Sequence, residues 1–325
     1  MRQAGRYLPE FREVRRDRDV LDTVKDPSTV VELTLQPLHR MPVDAAVLFS
    51  DIMVPIAAIG VPVRIEPGRG PIVDAPVRRR ADLARLRPLE PEEDLPHVLE
   101  AIRLLRRELS VPLIGFTGAP FTLASYLVEG GPSTNYARTK ALMLGDPRTW
   151  DVLIGALVDL GVRHVHSQVT AGAEVIQVFD SWAGGLSAQQ YSRHVGPAME
   201  RLFGELVPLG VPIIHFGVGT GHLLEMMACP GVDAVGVDWR IAIDDAWDRV
   251  GHDRAVQGNL DPAALLAPWR VVEHEAKEVL SKPGLENGHI FNLGHGVLPQ
   301  TPVETLQRLV DLVHATTERQ RSTDA

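Results

Sequence analysis

The chain has 325 residues, of which 45% are hydrophobic and 23% charged, and its formal net charge is -9. This composition supports a large folded core and excludes a disordered chain, while the acidic balance excludes nucleic acid and anionic membranes as partners held by general charge. The single cysteine, Cys229, excludes an internal disulfide and a cysteine-based metal cluster, and we expect it to be a small buried apolar residue.

Two arginines, Arg2 and Arg6, stand four residues apart at the start of the chain. Each guanidinium could bind a carboxylate through two parallel hydrogen bonds, and Gly5 between them permits close approach of a ligand. An isolated pair of this kind is usually exposed surface, but the distinctive string that follows favours anion binding. The same terminus lacks the basic-then-apolar pattern of a signal peptide, and no apolar run reaches membrane-spanning length, so we expect a cytoplasmic protein.

Seven short apolar runs follow, and each ends in polar or glycine-rich residues before a helical pattern begins. Their first halves are apolar on both faces, which is typical of parallel strands covered by helices. Strands alternating with helices predict a single α/β domain over residues 1–325. The predicted strands are Ala45–Asp51, Val111–Gly118, Glu174–Ser181, Val211–Gly217, Ala234–Arg240, Ala255–Asp261 and His289–Gly296. The predicted helices are Ser28–Arg40, Glu92–Leu109, Pro147–Val169, Ser187–Val207, Pro262–Leu280 and Pro302–Thr317.

Residues 56–76 interrupt this rhythm. They are rich in proline and glycine, and Val63 and Ile65 alternate with polar residues, so we predict an inserted hairpin. An eighth strand just before Arg2 would close the sheet into a (β/α)8 TIM-type barrel. That first strand would then be truncated by the start of the chain.

In such a barrel the chemistry lies where the strands end. Several predicted strands end in polar side chains, and together they are a stronger signal than any one of them. These residues are Asp51, Thr117, Asp180, Ser181, His215, Asp238, Arg240, Asn259, Asn292 and His295.

Asp51 and Tyr126 are the first two candidates at the predicted mouth. A carboxylate after a buried apolar strand is costly unless something pairs with it, so Asp51 either faces a substrate or braces a loop as a helix cap, and its spacing leaves both open. Tyr126 lies two turns into a helix that begins near Gly118 and Pro120. Its hydroxyl would face the mouth, or the ring would be a core residue with one hydrogen bond.

Ser181 and His295 are the remaining candidates. No histidine or lysine stands beside Ser181 in a nucleophile motif, so its hydroxyl is either a ligand donor or a helix cap. His295 has a glycine on each side, which lets the imidazole stand free, although a loop histidine bonded to the backbone is the commoner case. The glycine-rich stretch 217–221 lacks the lysine of a phosphate-binding loop, and the scattered histidines include no metal-binding motif.

Five strings in this order closely resemble the uroporphyrinogen decarboxylase family. The resemblance runs from Met1 to about Val310. The strings are Met1–Glu10, Phe49–Asp51, Gly115–Leu123, Val256–Asp261 and Asn292–Gly296.

The resemblance implies a cytoplasmic homodimer of distorted barrels that needs no metal and no organic cofactor. It implies conversion of the four acetates of uroporphyrinogen III to methyl groups, giving coproporphyrinogen III in haem biosynthesis. Family members usually carry further residues ahead of the first string, so the resemblance also places Met1 inside the first strand. The residues it assigns to the tetrapyrrole are Arg2, Gln3, Ala4, Gly5, Arg6, Asp51, Tyr126, Ser181 and His295, with Asp51 and Arg2 in catalysis.

Two other functions stay open. Corrinoid- or zinc-dependent methyltransferases are similar in their barrel, but Cys229 without a paired histidine and cysteine speaks against a zinc site. A tetrapyrrole carrier without catalysis is the second alternative, and the combination of Asp51 with two arginines favours catalysis over it.

Overall fold

The structure, a computed structural model, describes residues 3–16, 18–66, 68–282 and 288–321. Seven parallel strands form one sheet in the order β1-β4-β5-β6-β7-β8-β9, and two further strands pair antiparallel. The strands of the parallel sheet are β1 Ala46–Val47, β4 Leu113–Gly118, β5 Val175–Asp180, β6 Ile213–Gly217, β7 Ala234–Gly236, β8 Ala255–Leu260 and β9 His289–Leu293. All seven predicted strands are therefore confirmed, with β1 and β7 shorter than predicted.

The helices lie between the strands. Those before β5 are α1 Pro9–Arg15, α2 Val20–Thr23, α3 Pro27–Arg40, α4 Val54–Ala58, α5 Pro91–Asp94, α6 Pro96–Glu108, α7 Pro120–Glu129, α8 Ala137–Gly145 and α9 Pro147–Ala171. Those after β5 are α10 Ala188–His194, α11 Gly196–Leu206, α12 Leu224–Met227, α13 Ile243–Val250, α14 Trp269–Leu280 and α15 Val303–Arg321.

Three predicted helices are divided in the structure, each at a proline. Pro96 separates α5 from α6, Pro197 follows the break between α10 and α11, and Pro268 ends a short 3-10 turn before α14. Proline lacks the N–H that continues a helix and restricts the residue before it. The apolar periodicity runs across these breaks and hides them.

Helix starts follow the expected chemistry. Ser187 accepts a hydrogen bond from the Gln190 N–H while the Gln190 side chain accepts one from the Ser187 N–H, which caps α10. Asp26 accepts from the Ser28 N–H at the start of α3.

The hairpin predicted within residues 56–76 is present. It consists of β2 Val63–Glu66 and β3 Gly70–Val73, and the Val73 N–H donates to the carbonyl of Gly130 just after α7. The insertion therefore packs beside the entry to the strand ends rather than extending the main sheet.

The sheet is curled, because its two ends are bridged by helix contacts. The Gln307 side chain of α15 donates to the carbonyl of Arg40, and His314 of the same helix lies 3.2 Å from the Asp44 carboxylate. Arg40 and Asp44 precede β1, whereas α15 follows β9. The predicted mixed α/β architecture with a parallel sheet is confirmed, as a curled seven-stranded sheet with helices around it. None of the described helices is long and apolar enough to cross a membrane.

Candidate active site at the strand ends

The curled sheet has an inner face lined by phenylalanines. Strand register places Phe116 beside Gln177, and Phe179 beside Phe216, so alternate residues of neighbouring strands share that face. The ring centroids of Phe116 and Phe179 lie 5.4 Å apart, and those of Phe179 and Phe216 lie 6.0 Å apart. Both pairs of rings meet edge to face. We call Phe116, Phe179 and Phe216 the phenylalanine face. It is an apolar floor to the inner face of the sheet.

The amino-terminal corner, residues 3–8 together with residues 49–54, lies beside this floor. The backbone of Ala46 and Leu48 pairs with β4, so the opposite edge of β1 would be open. The Gln3 side chain fills that edge: its amide donates to the Ala45 carbonyl at 2.9 Å and accepts from the Val47 N–H at 2.9 Å. Gln3 thus takes the position of a neighbouring strand and fixes the start of the chain against β1.

The next residues form a tight turn. The Tyr7 hydroxyl donates to the Gln3 carbonyl, and the Leu8 N–H donates to the Gly5 carbonyl. Ala4 and Gly5 are buried, whereas Arg6 is exposed and makes no ion pair with any described residue. The Arg6 guanidinium is therefore available to an anion. Arg2, the other predicted arginine, lies outside the described residues.

Asp51 is half-buried two residues beyond Phe49. Its Oδ1 accepts from the Met53 N–H at 2.9 Å, and its carbonyl accepts from the Val54 N–H at the start of α4. The loop-bracing alternative for Asp51 is therefore realised, and that bond fixes the direction of the carboxylate.

Tyr126 belongs to a stack of aromatic rings. The ring centroids of Tyr126 and Trp182 lie 3.9 Å apart. The ring centroids of Trp182 and Tyr136 lie 5.2 Å apart. Tyr126 is half-buried on α7, while Trp182 directly follows Ser181. The stack joins α7 to the loop after β5, so the positions of Tyr126 and Ser181 are coupled.

A buried hydrogen-bond bridge holds that loop. The Thr122 hydroxyl on α7 donates to Asp180 Oδ1 at 3.0 Å and accepts from the Trp182 N–H at 3.3 Å. Thr122 and Asp180 are both fully buried. Because Thr122 lies one helical turn before Tyr126, the same bridge orients both rings of the stack.

The expectation that Thr117, Asp180 and His215 face the mouth is wrong, and Thr117, which pairs with Val178, lies beside Gly161 of α9. Asp180 and His215 lie on the outer face, where the His215 ring packs on Phe203 of α11 and its Nδ1 lies 3.1 Å from the Met227 carbonyl. Strand parity explains the error, since Val178 pairs with His215 and alternates with the inward Phe179. Burial, together with the Asp180 charge, raises the pKa of the nearby Tyr191 hydroxyl.

Ser181 and His295 do lie at the strand ends. Ser181 is half-buried, and its hydroxyl makes no hydrogen bond within the part of the chain that the structure covers. His295 is exposed, and its ring centroid lies 6.4 Å from that of Phe216 on the phenylalanine face. Gly294 packs directly against the backbone of Trp239, which leaves no room for a side chain there.

The loops after three strands form a continuous rim belt, defined here as residues 181–187, 218–221 and 238–242. Gly184 packs against the carbonyl of Val218, and Gly185 packs against the Tyr136 ring. The Gly219 N–H, in the glycine-rich stretch, donates to the Asp238 carboxylate at 2.6 Å. The glycine-rich stretch therefore contacts a carboxylate of the protein itself, the one of Asp238. This contact explains a glycine at position 219 without a phosphate-binding motif.

Cys229 is buried, as predicted, and burial raises the pKa of its thiol to about 11. Among the described residues, no group of three histidine, cysteine or acidic side chains is arranged to hold a metal ion.

Sequence reasoning missed Thr122, Trp182 and Tyr136. The bridge and the stack join positions far apart in the chain, such as Thr122 and Asp180, and no local pattern reports such a pairing. The available signal was weak: an aromatic residue directly after the predicted strand-end Ser181.

Residues 1–316 match the sequence model of the family described as uroporphyrinogen decarboxylase (URO-D). Among proteins named uroporphyrinogen decarboxylase, the chain is 52% identical to one from Sorangium cellulosum, with 97% of this chain and 90% of the relative aligned. It is 55% identical to one from Streptomyces coelicolor, over 98% of this chain and 90% of the relative. It is 50% identical to one from Carboxydothermus hydrogenoformans, over 97% of this chain and 90% of the relative.

Solved structures share the fold at low identity. A methyltransferase from Methanosarcina mazei superposes with a TM-score of 0.76 at 20% identity, covering 94% of this chain and 90% of that one. A B12-independent methionine synthase from Shewanella superposes with a TM-score of 0.57 at 11% identity, covering 91% and 88%. At these identities the likeness concerns the fold alone.

Proposed function

The chain belongs to the uroporphyrinogen decarboxylase family, and from that premise we propose how its strand ends carry out the reaction. The activity is that of a carboxy-lyase in haem biosynthesis, which converts the acetate side chains of uroporphyrinogen III to methyl groups and yields coproporphyrinogen III. The observation that carries the proposed mechanism is the position of Asp51, a fixed carboxylate at the edge of the phenylalanine face.

The macrocycle would lie on the phenylalanine face with its pyrrole N–H groups toward Asp51. The substrate carries many carboxylates around an apolar ring, so it needs an apolar floor and cations at the edge. Arg6, exposed and without an ion pair to a described residue, is one such cation. Arg2 is proposed as the other on the family resemblance.

The reaction would begin when a proton adds to a pyrrole carbon, which makes the ring cationic. The bond between the acetate methylene and its carboxylate then breaks, its electron pair moves into the ring, and carbon dioxide leaves. A proton adds to the methylene carbon to complete the methyl group, and the ring carbon loses its added proton, so each acetate consumes one proton. An ionised Asp51 beside the N–H groups would stabilise the transient cation without changing its own protonation.

Arg2 is the proposed proton donor, by resemblance. A guanidinium is an intrinsically weak acid because its pKa is so high. Transfer from it would therefore depend on the nucleophilic character of the pyrrole carbon and on the exact placement of the guanidinium.

The remaining candidates would contact the arms of the macrocycle. Tyr126 and Ser181 lie on the two elements joined by the Thr122 bridge, and His295 lies beside Phe216. The amide of Gln3 is already bonded to β1, so residues Gln3, Ala4 and Gly5 would line the substrate through their backbone.

We also propose that the curled sheet closes as an eight-stranded barrel. The segment at Gln3 stands where a strand beside β1 would lie, and the contacts between α15 and residues 40 and 44 draw the two ends of the sheet together. On the family resemblance we further propose a homodimer in the cytoplasm, with no metal or organic cofactor.

The test is incubation of the purified chain with uroporphyrinogen III under oxygen-free reducing conditions, with and without EDTA, followed by oxidation and chromatography of the porphyrins. We expect successive loss of carboxylates down to coproporphyrin, unaffected by EDTA. Binding without release of carbon dioxide would indicate a carrier instead. Loss of turnover in EDTA, restored by zinc, would contradict a reaction without metal.

A further inference from the structure

Asp238 and Arg240 lie at the inner rim of the mouth, on the side away from the amino-terminal corner. Gly236 pairs with Phe216, and residues two apart along a strand share a face, so Asp238 follows Gly236 on the side of the phenylalanine face. In the sheet order β7 is separated from β1 by β4, β5 and β6. The pair therefore stands across the floor from Asp51.

Asp238 is a buried carboxylate, only 3% exposed, and it is fully engaged inside the protein. It accepts from the Gly219 N–H at 2.6 Å, from the Arg240 N–H at 3.2 Å and from the Arg240 guanidinium Nη1. A carboxylate that receives backbone N–H donors as well as a guanidinium is fixed in direction and holds the guanidinium in one place.

The loop that carries Arg240 is fixed on both sides. The Asn259 side chain donates to the carbonyl of Asp238 at 2.9 Å and to that of Ile241 at 2.7 Å. The Arg240 guanidinium lies 4.3 Å over the Trp239 ring, and Trp239 packs against Gly294, next to His295. Arg240 is therefore held within the same group of contacts as the proposed substrate residue His295.

The outer part of Arg240 remains open. Its side chain is 54% exposed, and Nη1 is the one guanidinium nitrogen that donates to a described residue, leaving the rest of its five N–H groups for a ligand. An ordinary surface ion pair joins two mobile side chains and contributes little. Here the acid is buried and braced while the base is presented to solvent, which is the arrangement of a preorganised anion contact.

We infer that Arg240 binds a carboxylate arm of the substrate and, with Arg6, seats the macrocycle from two separated points of the rim. This inference rests on the proposed function, since it takes its ligand from it. A ring with carboxylates on every side meets a cation on opposite edges, whereas the amino-terminal corner alone would hold it at one edge.

The test compares Arg240→Gln and Arg240→Lys with Arg308→Gln in steady-state kinetics with uroporphyrinogen III. Arg308 is the matched control, because its guanidinium also stacks on a tryptophan, 4.1 Å over Trp269, but on the outer helix α15. We expect Arg240→Gln to raise KM about tenfold, the effect of one lost charge-assisted hydrogen bond, with kcat within about twofold of wild type. The KM of Arg240→Lys should lie between those of the wild type and Arg240→Gln. Arg308→Gln should leave both KM and kcat unchanged.

A second readout separates binding from bracing. Rising ionic strength should raise the KM of the wild type more steeply than that of Arg240→Gln, because the variant has one fewer exposed charge to screen. Unchanged KM in a folded Arg240→Gln, or a fall in kcat that tracks a lower melting temperature, would overturn the inference. If Arg240→Gln does not fold, the KM of Arg240→Lys decides. Absence of any turnover by the wild type would instead count against the proposed function.

Discussion

The amino-terminal corner and the rim belt both surround the phenylalanine face, but they hold their charged groups in opposite ways. In the corner, Arg6 is exposed without an ion pair to a described residue, and the contacts of the half-buried Asp51 include the Met53 N–H. In the belt, Asp238 is buried and receives both backbone and guanidinium donors, and the Asp180 that anchors the belt receives a buried hydroxyl. The corner presents an exposed arginine without an internal acid, whereas the belt holds its exposed arginine, Arg240, against the buried carboxylate of Asp238.

This difference predicts which substitutions change the stability of the chain. Substitution of Arg6 in the corner should change affinity with little effect on stability, because its exposed guanidinium makes no ion pair with a described residue. Substitutions behind the belt should change stability first, because each one leaves a buried polar group without its partner.

The largest effect is expected from Asp51→Asn. Asparagine retains an oxygen that can accept from the Met53 N–H, so the loop should keep its shape while the negative charge is lost. We expect kcat to fall by about 10²–10³, the usual effect of removing one preorganised electrostatic contact, with KM nearly unchanged. Steady-state kinetics with uroporphyrinogen III measures both constants.

The matched control is Asp146→Asn, which alters a carboxylate that caps the outer helix α9 through the Thr149 N–H in the same manner. It should leave kcat unchanged. Equal loss of kcat and affinity in Asp51→Asn would show that the charge serves ground-state binding. It would contradict a role of Asp51 in stabilising the transient cation.

Acid should act on the helix layer through His164 of α9. Burial lowers the pKa of His164 from 6.5 to about 4, so the folded chain resists protonation at a site that the unfolded chain protonates. Stability from this group is fully present above pH 6.5 and is lost as the pH falls towards 4, by about 3 kcal/mol. Urea unfolding at pH 7 and pH 5 should show a larger loss for the wild type than for His164→Leu.

The exposed His252 provides the comparison, since 60% of its side chain faces solvent. His252→Gln should retain the acid sensitivity of the wild type. If His164→Leu retains it too, the acid loss originates elsewhere, and the belt or the corner becomes the place to search.

A smaller effect is expected behind the belt, from Thr122→Val. The substitution keeps the volume but removes the hydroxyl that joins Asp180 to the Trp182 N–H. We expect a loss of about 1–3 kcal/mol in unfolding free energy, because a buried carboxylate oxygen loses its donor. A few-fold rise in KM should accompany it as Trp182 shifts against Tyr126. Denaturant unfolding and kinetics on the same samples measure the two effects.

Thr149→Val removes the same kind of bond from the exposed Asp146, where water can replace the hydroxyl. Its stability loss should be clearly smaller. Unaltered stability in Thr122→Val would mean that the Asp180 bridge does not hold the belt.

The smallest of these effects is expected from Arg6→Ala. Loss of one exposed guanidinium should raise KM about tenfold and leave the melting temperature unchanged, since Arg6 makes no ion pair with a described residue. Arg6→Lys should recover part of the affinity, because it restores the charge without the fork. Unchanged affinity in Arg6→Ala would contradict the proposal that Arg6 binds a substrate carboxylate.

The sequence predicted the strands well because their signal is local. Runs such as Val111–Gly118 are apolar on both faces and end in polar or glycine residues, and the structure places β4 within that run. The sequence did not reveal that the predicted helix Ser187–Val207 is divided into α10 and α11. Its apolar spacing continues through the break before Pro197.

The candidate site was predictable in part. Asp51, Ser181 and His295 were identified as strand-end residues, and they lie at strand ends. His215 was assigned to the wrong face, because one residue of parity decides between the mouth and the helix layer. The Thr122 bridge and the Gly219 contact with Asp238 could not be predicted, since each depends on which loops the tertiary structure brings together.

The most direct test of the seating of the macrocycle is a crystal structure of the chain with coproporphyrinogen bound under oxygen-free conditions. We expect the pyrrole N–H groups within hydrogen-bond distance of the Asp51 carboxylate, with the ring on the phenylalanine face and Arg6 at a carboxylate arm. A ring bound elsewhere, or one whose N–H groups turn away from Asp51, would contradict the assignment of that carboxylate to the transient cation.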